Sequence, residues 1–420
     1  MLSEDWGVLQ LRELGEIVTG TTPSTKDRSF WGGDIPFVTP SDLNGSRYVA
    51  GTERYVTQNG ADRGRLLPKG AVLVTCIASV GKMGLAASPC ITNQQINAII
   101  CNKEHDSDYI FFALSYAMER LKLVAGVNVL PIINKTAFGK LKISLPLRKS
   151  EQIAISSVLD GVDSVINSSK DALQLALSLK TALLQAIFKK GMNPDGRIRS
   201  DDEENKENGN FTKLGILPND WDAIRLGELC TYITDGTHQA TTKQSNGIPF
   251  LFVSCIKSGK VDFSKSSFIS DSEYKTISIG KEPRADAVLY TVVGSYGNAA
   301  IVEGDAPFAF ERNIAFLLPN NEGLNPKFLV HLLNSEGGRK QAEIAATGNA
   351  QKLISLTALK KIRIAVPKLK EQHRIVEMLE PVDALIDAIE VKLRNQDQLK
   401  KSLMHDLLTG TVRVDPKLVL

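Results

Sequence analysis

Two stretches of this sequence decide its fold: KLKISLPLRKSEQ, residues 140–152, and KIRIAVPKLKEQ, residues 361–372. In each, apolar and polar residues alternate before a proline, which is typical of a half-buried β-strand that ends at Pro146 or Pro367. A long run with helical periodicity follows each stretch. Because the same strand-to-helix junction is written twice, the chain is predicted to contain an internal duplication.

Other pieces of the sequence recur in the same order. Three further pairs match: WGVLQLRELGEIVTG at 6–20 with WDAIRLGELCTYITDG at 221–236, DIPFV at 34–38 with GIPFLFV at 247–253, and AVLVTCIASVGKMG at 71–84 with AVLYTVVGSYGNAA at 287–300. A chain of 420 residues exceeds one ordinary core, so two or three domains are expected. The duplicated unit is therefore a domain of roughly 200 residues that ends in a helix.

Both helices are predicted to be long. The first is expected from about Ser150 to Gly191 and the second from about Lys370 to Gly410, each about 60 Å in length. Apolar residues recur every seven positions, which favours a coiled-coil seam over an ordinary core helix in a bundle. The first predicted row holds Ile155, Val162, Ser169, Ala176 and Leu183, with Ile375, Val382, Ile389, Gln396 and Leu403 in the second helix.

A second predicted row lies three residues further along each helix. It holds Val158, Val165, Ala172, Leu179 and Ala186, with Met378, Leu385 and Leu399 in the second helix. A wider stripe, on which other protein is expected to pack, adds Leu159, Ile166, Leu173, Leu379, Ile386 and Leu393. Two similar helices carrying similar domains pack most simply as an antiparallel coiled coil with a pseudo-two-fold axis.

The predicted fold is thus α+β, with two similar globular domains, each mixing helices with a twisted sheet, separated by two long helices. The predicted boundaries are 1–149 for the first domain, 150–191 for the first helix, 192–212 for a polar flexible linker, 213–369 for the second domain, 370–410 for the second helix and 411–420 for a tail.

Composition excludes several classes of protein. Hydrophobic content of 43% and charged content of 23% are ordinary for a globular protein, and no stretch approaches the ~20 apolar residues of a membrane span. The acidic, polar start lacks the pattern of a signal peptide, and five cysteines without a C-x-x-C pair fit a reducing cytoplasm. A net charge of +3 permits a nucleic-acid partner without requiring one.

The run TGTTPSTK, residues 19–26, superficially suggests a phosphate-binding loop. A Walker loop needs a glycine where Thr25 stands and Ser or Thr where Asp27 stands, and Pro23 removes a backbone donor. The five histidines have no i, i+4 ligand spacing, so a metal site is not expected. The sequence also lacks an Asn/Asp-Pro-Pro-aromatic methyltransferase motif. We therefore expect no catalytic residues in this chain.

With these features the chain resembles the specificity subunits of type I restriction–modification systems. The resemblance rests on Gly20–Pro23 with Ile35–Phe37, on the proline-to-Glu-Gln entries at Pro146–Gln152 and Pro367–Gln372, and on the ending Leu407–Gly410. It spans essentially the whole chain. Gln239 stands in the second copy where the first has Pro23, which indicates a differently shaped loop.

The resemblance implies a function without catalysis in this chain. Each globular target-recognition domain would read one half of a split, asymmetric site in double-stranded DNA, and the helices would fix the unread spacer. Two methyltransferase subunits would dock on the helices, and nuclease subunits that translocate DNA are further possible partners. S-adenosylmethionine, ATP and magnesium would bind to those partners, and this chain would hold no cofactor.

Candidate DNA contacts follow from residue chemistry, since hydroxyls and cations bind phosphates whereas Asn, Gln and Arg read base edges. In the first domain they are Thr21, Thr22, Ser24, Lys26, Arg28, Lys82, Asn93, Gln94 and Gln95, with Trp31 bracing the turn. In the second they are Thr237, His238, Lys243, Tyr296, Arg312, Asn313, Gln351 and Lys352. Asn128, Lys135 and Asn349 close the two domains with similar chemistry.

The expected helix-pair and partner interface combines the first row with the wider stripe. It comprises Ile155, Leu159, Val162, Ile166, Leu173, Leu183, Ile375, Leu379, Val382, Ile386, Ile389, Leu393 and Leu403. Two alternatives stay open at this stage: a tandem-domain DNA-modifying enzyme with an unrecognised motif, and a purely structural helical scaffold. Methyl transfer to DNA by the isolated chain would identify the first, and a lack of salt-dependent DNA binding would identify the second.

Overall fold

A computed structural model describes residues 5–77, 80–125, 132–200, 210–212, 215–218, 220–257, 259–348 and 352–418. The chain forms two compact units. Unit 1 contains residues 1–171 together with 391–420, and unit 2 contains residues 172–390. Each unit therefore combines one globular domain with the start of one long helix and the end of the other.

Unit 1 is built on a five-stranded sheet in the order β2-β9-β6-β7-β4. A three-stranded sheet, β5-β3-β8, and the antiparallel pair β1-β10 complete the domain. Its elements are β1 Trp6–Gln10, α1 Leu11–Leu14, β2 Gly15–Thr19, β3 Trp31–Val38, β4 Tyr48–Val49, β5 Arg54–Val56, α2 Gln58–Asp62, β6 Val72–Thr75, β7 Met83–Ala86, β8 Ile91–Thr92, β9 Ile96–Cys101, α3 Ser107–Ala125, α4 Lys135–Gly139 and β10 Lys142–Pro146.

Unit 2 repeats this plan with a four-stranded sheet, β14-β22-β19-β20. The three-stranded sheet β18-β15-β21 and the pair β13-β23 correspond to β5-β3-β8 and β1-β10. Its elements are β11 Asn210–Thr212, β12 Gly215–Leu217, β13 Asp222–Arg225, α6 Leu226–Leu229, β14 Cys230–Asp235, β15 Ile248–Leu251, β16 Ile256–Lys257, β17 Lys260–Val261, β18 Ser267–Ile269, α7 Asp271–Ile277, β19 Val288–Thr291, β20 Ala299–Ile301, β21 Ala309–Phe310, β22 Ile314–Pro319, α8 Pro326–Asn334, α9 Glu336–Ala345, α10 Leu356–Lys361 and β23 Arg363–Val366.

Two long helices follow β10 and β23, as predicted. The first long helix, α5, is Lys149–Lys190 and the second long helix, α11, is Leu369–Leu408. Gly191 and Gly410 stand just beyond their last turns with φ of 74° and 75°, the left-handed conformation that glycine adopts without a steric penalty. The strand-to-helix junctions are therefore confirmed in both copies.

The helices run antiparallel within each unit. In unit 1, Asp163 pairs with Lys400 at 2.5 Å, whereas Glu151, earlier in the first long helix, pairs with Arg413, which lies beyond the end of the second. The two helices therefore run in opposite directions. In unit 2, Lys180 pairs with Asp383 at 2.5 Å. There Met192, which follows the first long helix, donates its N–H to Glu371 at the start of the second.

The prediction of the second heptad row is wrong for most of its length, although Val158, Ala186 and Met378 are half-buried. Val165, Leu179, Leu385 and Leu399 are 51%, 47%, 49% and 54% exposed. The buried row lies four residues after the first row, because residues at both i+3 and i+4 neighbour residue i and the partner helix covers the i+4 side. Leu159, Ile166, Leu379 and Ile386 of the wider stripe are buried there.

The remaining residues of the expected interface vary in burial. Ile155 and Ile375 are fully buried. Val162, Leu173, Leu183, Val382, Ile389, Leu393 and Leu403 are half-buried. Ser169 and Ala176 of the first row are buried, so small residues of the first row are covered as well.

A glutamine fastens each long helix to its own domain. Gln152 donates to the carbonyl of Pro146 at 2.9 Å and accepts from the N–H of Asp106 at 2.8 Å. Gln372 makes the equivalent bonds to Pro367 and Asn325 at 2.9 and 2.7 Å. Both glutamines are fully buried, so the orientation of each helix relative to its sheet is held by satisfied polar contacts.

The preceding glutamate fastens the end of the other helix. Glu151 accepts from Arg413 at 2.6 and 2.7 Å. Glu371 accepts from the N–H of Met192, the indole of Trp221 and the guanidinium of Arg199. Each unit is therefore closed by an arginine that arrives from beyond the far end of the partner helix.

The first part of the predicted flexible linker is folded. Met192 is buried and forms an antiparallel bridge with Ile198, and Asn193 donates to the carbonyl of Arg197 at 2.8 Å. Residues 201–209 of the predicted linker lie outside the described residues. The polar composition of residues 192–199 did not indicate this packing. The segment is anchored by one buried methionine and by the contacts of Met192 and Arg199 with Glu371, which is distant in the sequence.

Candidate nucleic-acid interface

The candidate residues of unit 1 converge because of strand register. Thr19 at the end of β2 pairs with Asn97 at the start of β9, and Thr75 at the end of β6 pairs with Ile96. The segments that follow or precede these ends therefore meet at one edge of the sheet. We call residues 20–28, 80–82 and 93–95 the loop edge of unit 1.

A close backbone contact ties this loop edge together. The N–H of Gly20 donates to the carbonyl of Ile96 at 3.0 Å. A Cβ on Gly20 would lie 2.1 Å from the carbonyl oxygen of Asn93, so only glycine fits. The hydroxyl of Thr22 then donates to Oε1 of Gln94 at 2.7 Å.

The outer part of the same loop carries exposed polar side chains. Ser24, Lys26 and Arg28 are exposed, whereas Thr21 and Thr22 are half-buried. The indole of Trp31 donates to the carbonyl of Ser24 at 3.1 Å, which is the bracing contact expected for it. Arg54, which the sequence did not single out, stacks 3.7 Å from the centre of the Trp31 ring.

The loop edge of unit 2, residues 236–243, 292–298 and 311–313, has the same frame. Gly236 donates to the carbonyl of Ile314 at 3.1 Å, and a Cβ on it would lie 2.3 Å from the carbonyl oxygen of Glu311. Arg312 donates its backbone N–H to the carbonyl of Thr237 at 3.1 Å. The two edges thus share a backbone arrangement while their side chains differ.

Side chains of the second loop are partly engaged within the protein. Thr237 is buried, and its hydroxyl accepts from the N–H of Gln239. His238 lies 2.9 Å from Asp235, and Lys243 lies 5.1 Å from the ring centre of Phe252. The structure therefore gives Thr237 a role in shaping the loop.

The other candidates lie around these edges or away from them. Lys82 is exposed at the turn between β6 and β7, and Tyr296 is half-buried against the core of unit 2. Lys352 lies 3.9 Å from Glu343. Lys135 is the first residue of α4. The candidates Asn128, Asn349 and Gln351 lie outside the described residues.

Two cations at the loop edges were missed by sequence reasoning. Arg65 donates to the carbonyl of Thr19 at 2.6 Å, beside the start of the first loop. Lys281 donates to the carbonyl of Gly236 at 2.8 Å, in the equivalent place of unit 2. Arg65 and Lys281 lie at equivalent positions, each six residues before the repeated AVL segment at Ala71 or Ala287, but the residues between differ in the two copies and hide the match.

The chemistry of the loop edges suits an anionic polymer. Exposed lysine, arginine and hydroxyl side chains are the groups that bind phosphates, and amide side chains beside them can bind base edges. Among the described residues there is no cluster of three His, Cys, Asp or Glu that could hold a metal ion. In the same part of the chain, no helix is long and apolar enough to cross a membrane.

Comparisons with known proteins agree with this geometry. The family described as "Type I restriction modification DNA specificity domain" matches residues 3–177 and again residues 218–396. The MjaVIII specificity subunit of Methanocaldococcus jannaschii is 25% identical over 421 residues, covering 98% of this chain and 94% of that protein. The EcoBI specificity subunit of Escherichia coli is 24% identical over 78% of this chain and 69% of its own.

Solved structures show the same fold. The S subunit of a type I restriction–modification system from M. genitalium has a TM-score of 0.58 at 16% identity, covering 97% of each chain. A chain from a study of assembly and conformational transition of the type I R-M system has a TM-score of 0.56 at 17% identity. It covers 98% of this chain and 100% of its own.

Two matches of one domain family, in the two units that carry equivalent loop edges, together span most of the sequence. The chain belongs to the family of type I restriction–modification DNA specificity subunits.

Proposed function

We propose that this chain reads a two-part DNA site, with one half-site bound at each loop edge. The observation that carries the proposal is the shared backbone frame at Gly20 and Gly236 with different side chains around it. One frame would place both domains on DNA in the same way, and different side chains would read different bases. The site would therefore be split and asymmetric.

The long helices supply the docking surface for partners in this proposal. Exposed apolar residues remain on both helices after they pair, including Val165, Leu179, Leu385 and Leu399. Two methyltransferase subunits would bind there and modify adenine with S-adenosylmethionine. Nuclease subunits using ATP and magnesium would join such a complex, and this chain would be non-catalytic and hold no cofactor.

Salt dependence of DNA binding tests the proposal. A protein that contacts several phosphates releases counterions, so its affinity falls steeply and linearly with salt on a logarithmic scale. We expect the complex with its methyltransferase to show this slope, and to prefer one duplex from a mixed library. Flat salt dependence would support a structural scaffold, and methyl transfer by the isolated chain would support an enzyme.

A further inference from the structure

Each unit contains a three-residue turn at the same place in its fold, and the side chains of the two turns differ. We call Asn93–Gln95 in unit 1 and Glu311–Asn313 in unit 2 the central turns. The first residue of each donates to the preceding parallel strand, Asn93 to Val38 at 3.2 Å and Glu311 to Leu251 at 3.1 Å. This register places Gln94 and Arg312 at the same position.

The third residue of each turn confirms the equivalence. The carbonyl of Gln95 accepts from the N–H of Cys76 at 2.8 Å, and the carbonyl of Asn313 accepts from Val292 at 2.9 Å. Both donors follow the strand that pairs with the start of β9 or β22. The first and third residues of the two turns therefore make equivalent backbone hydrogen bonds.

The first and third residues of the turns face inward. Asn93 accepts from the N–H of Gln95 at 3.1 Å, and its side-chain amide donates to Oε1 of Gln95 at 3.2 Å. Glu311 accepts from the N–H of Val253 at 2.9 Å, and Asn313 is half-buried. The side chains of Asn93, Gln95 and Glu311 are therefore engaged within the protein.

The middle residue is exposed in both turns. Gln94 is oriented by the hydroxyl of Thr22 at 2.7 Å, which leaves its amide N–H groups and one oxygen lone pair available. The side chain of Arg312 has no hydrogen bond or ion pair with any residue that the structure describes. Of the three side chains in each turn, the middle one is free to reach a ligand.

We propose that Gln94 and Arg312 are the equivalent base-reading residues of the two domains, Gln94 reading adenine and Arg312 reading guanine. This inference rests on the proposed function. Glutamine can bind the N6 and N7 groups of adenine, and arginine the O6 and N7 groups of guanine, each through two hydrogen bonds in the major groove. Each side chain would thus fix one base pair of its own half-site.

Selection from a random duplex library tests the assignment. The chain in complex with its methyltransferase is incubated with the library, and bound DNA is sequenced for the wild type and for Arg312→Ala, Arg312→Gln and Gln94→Arg. Arg284→Ala serves as control, because Arg284 is an exposed arginine of the same domain near the start of β19, at the opposite end from Thr291.

Arg312→Ala should lose a roughly 10- to 100-fold preference at a single G·C pair of one half-site. Arg312→Gln should move that pair toward A·T, and Gln94→Arg should move one pair of the other half-site toward G·C. The control should select the wild-type motif. If Arg312→Ala also selects the wild-type motif, the assignment is overturned while the proposed function stands. If the wild type selects no motif, the proposed function itself fails.

Discussion

At the scale of single residues, contacts separate side chains that shape the loops from those that are free to bind. Sequence reasoning named Asn93, Gln94 and Gln95 together because all three have base-reading chemistry. Only the fold shows that Asn93 and Gln95 bind each other, leaving Gln94 exposed. Contacts between residues distant in the sequence, such as Arg65 with Thr19, could not be predicted either, since no motif links the two positions.

Lys26 tests the phosphate-binding role of the first loop. It is exposed on the loop edge of unit 1, and Lys26→Ala should weaken DNA binding about equally for all sequences. The slope of log affinity against log salt should fall by about one unit, as expected for one lost phosphate contact. An unchanged slope in a salt titration would show that this loop faces solvent only.

The burial of His331, in the helix Pro326–Asn334, should make the stability of the fold depend on pH. Burial lowers the pKa of His331 to about 4, against the opposing effects of Asp383 and Glu380, while Lys180 and Lys327 lower it further. Since its unfolded pKa is near 6.5, the folded state keeps the imidazole neutral. The stabilisation is present above about pH 6.5 and is lost as the pH falls toward 4, by up to about 3 kcal/mol.

Denaturant unfolding between pH 7.5 and 4.5 measures this effect. The loss of stability on acidification should be smaller in His331→Gln than in the wild type. His373→Gln, at an exposed histidine of the second long helix, should follow the wild type. Parallel pH profiles for the wild type and His331→Gln would contradict the assignment.

At the scale of elements, the sequence predicted both long helices, their glycine ends and their antiparallel pairing. It misplaced the second row of the seam because a seven-residue repeat fits spacings of three and four equally well. Only the partner helix decides between them. The ion pairs of Glu151 with Arg413 and of Glu371 with Arg199, which we call the glutamate clamps, were not predicted either, since the partners are far apart in the sequence.

Aspartate substitutions distinguish the two rows. Leu159→Asp places a charge at a fully buried position and should cost about 3–5 kcal/mol, with loss of assembly with the methyltransferase. Val165→Asp, on the predicted but exposed row, should change the free energy of unfolding by under about 0.5 kcal/mol, so any loss of methyltransferase binding in this variant would come from the docking surface and not from unfolding. Equal destabilisation of both variants in denaturant titrations would refute the observed seam.

At the scale of the whole molecule, the duplication is the dominant feature and was readable from sequence. Each unit repeats the sheet pairings, the Gly-centred loop edge and the glutamate clamp. The contacts of Glu151 and Glu371 show that each unit contains the start of one long helix and the end of the other. Alignment of the two copies did not reveal this exchange of helix ends. Unit 1 accordingly buries Leu407 and Leu408 in its own core.

This exchange of helix ends sets the boundary of a self-complementary fragment. Residues 1–200 contain the first domain, the whole first long helix and Arg199, which would replace Arg413 in binding Glu151 of a second copy. We expect this fragment to form a symmetric dimer that, with methyltransferase, modifies a palindromic split site. A fragment ending at Gly191 lacks Arg199 and should dimerise more weakly in analytical ultracentrifugation. Assembled dimers that modify non-palindromic sites would contradict this arrangement.

The most direct test of two-domain reading is to map methylated adenines in a host genome expressing the full chain with its methyltransferase. We predict that the modified sites share two different short motifs separated by a spacer of fixed length and free sequence. Methylation at one continuous motif, or at sites without any shared second motif, would contradict the claim that each loop edge reads its own half-site.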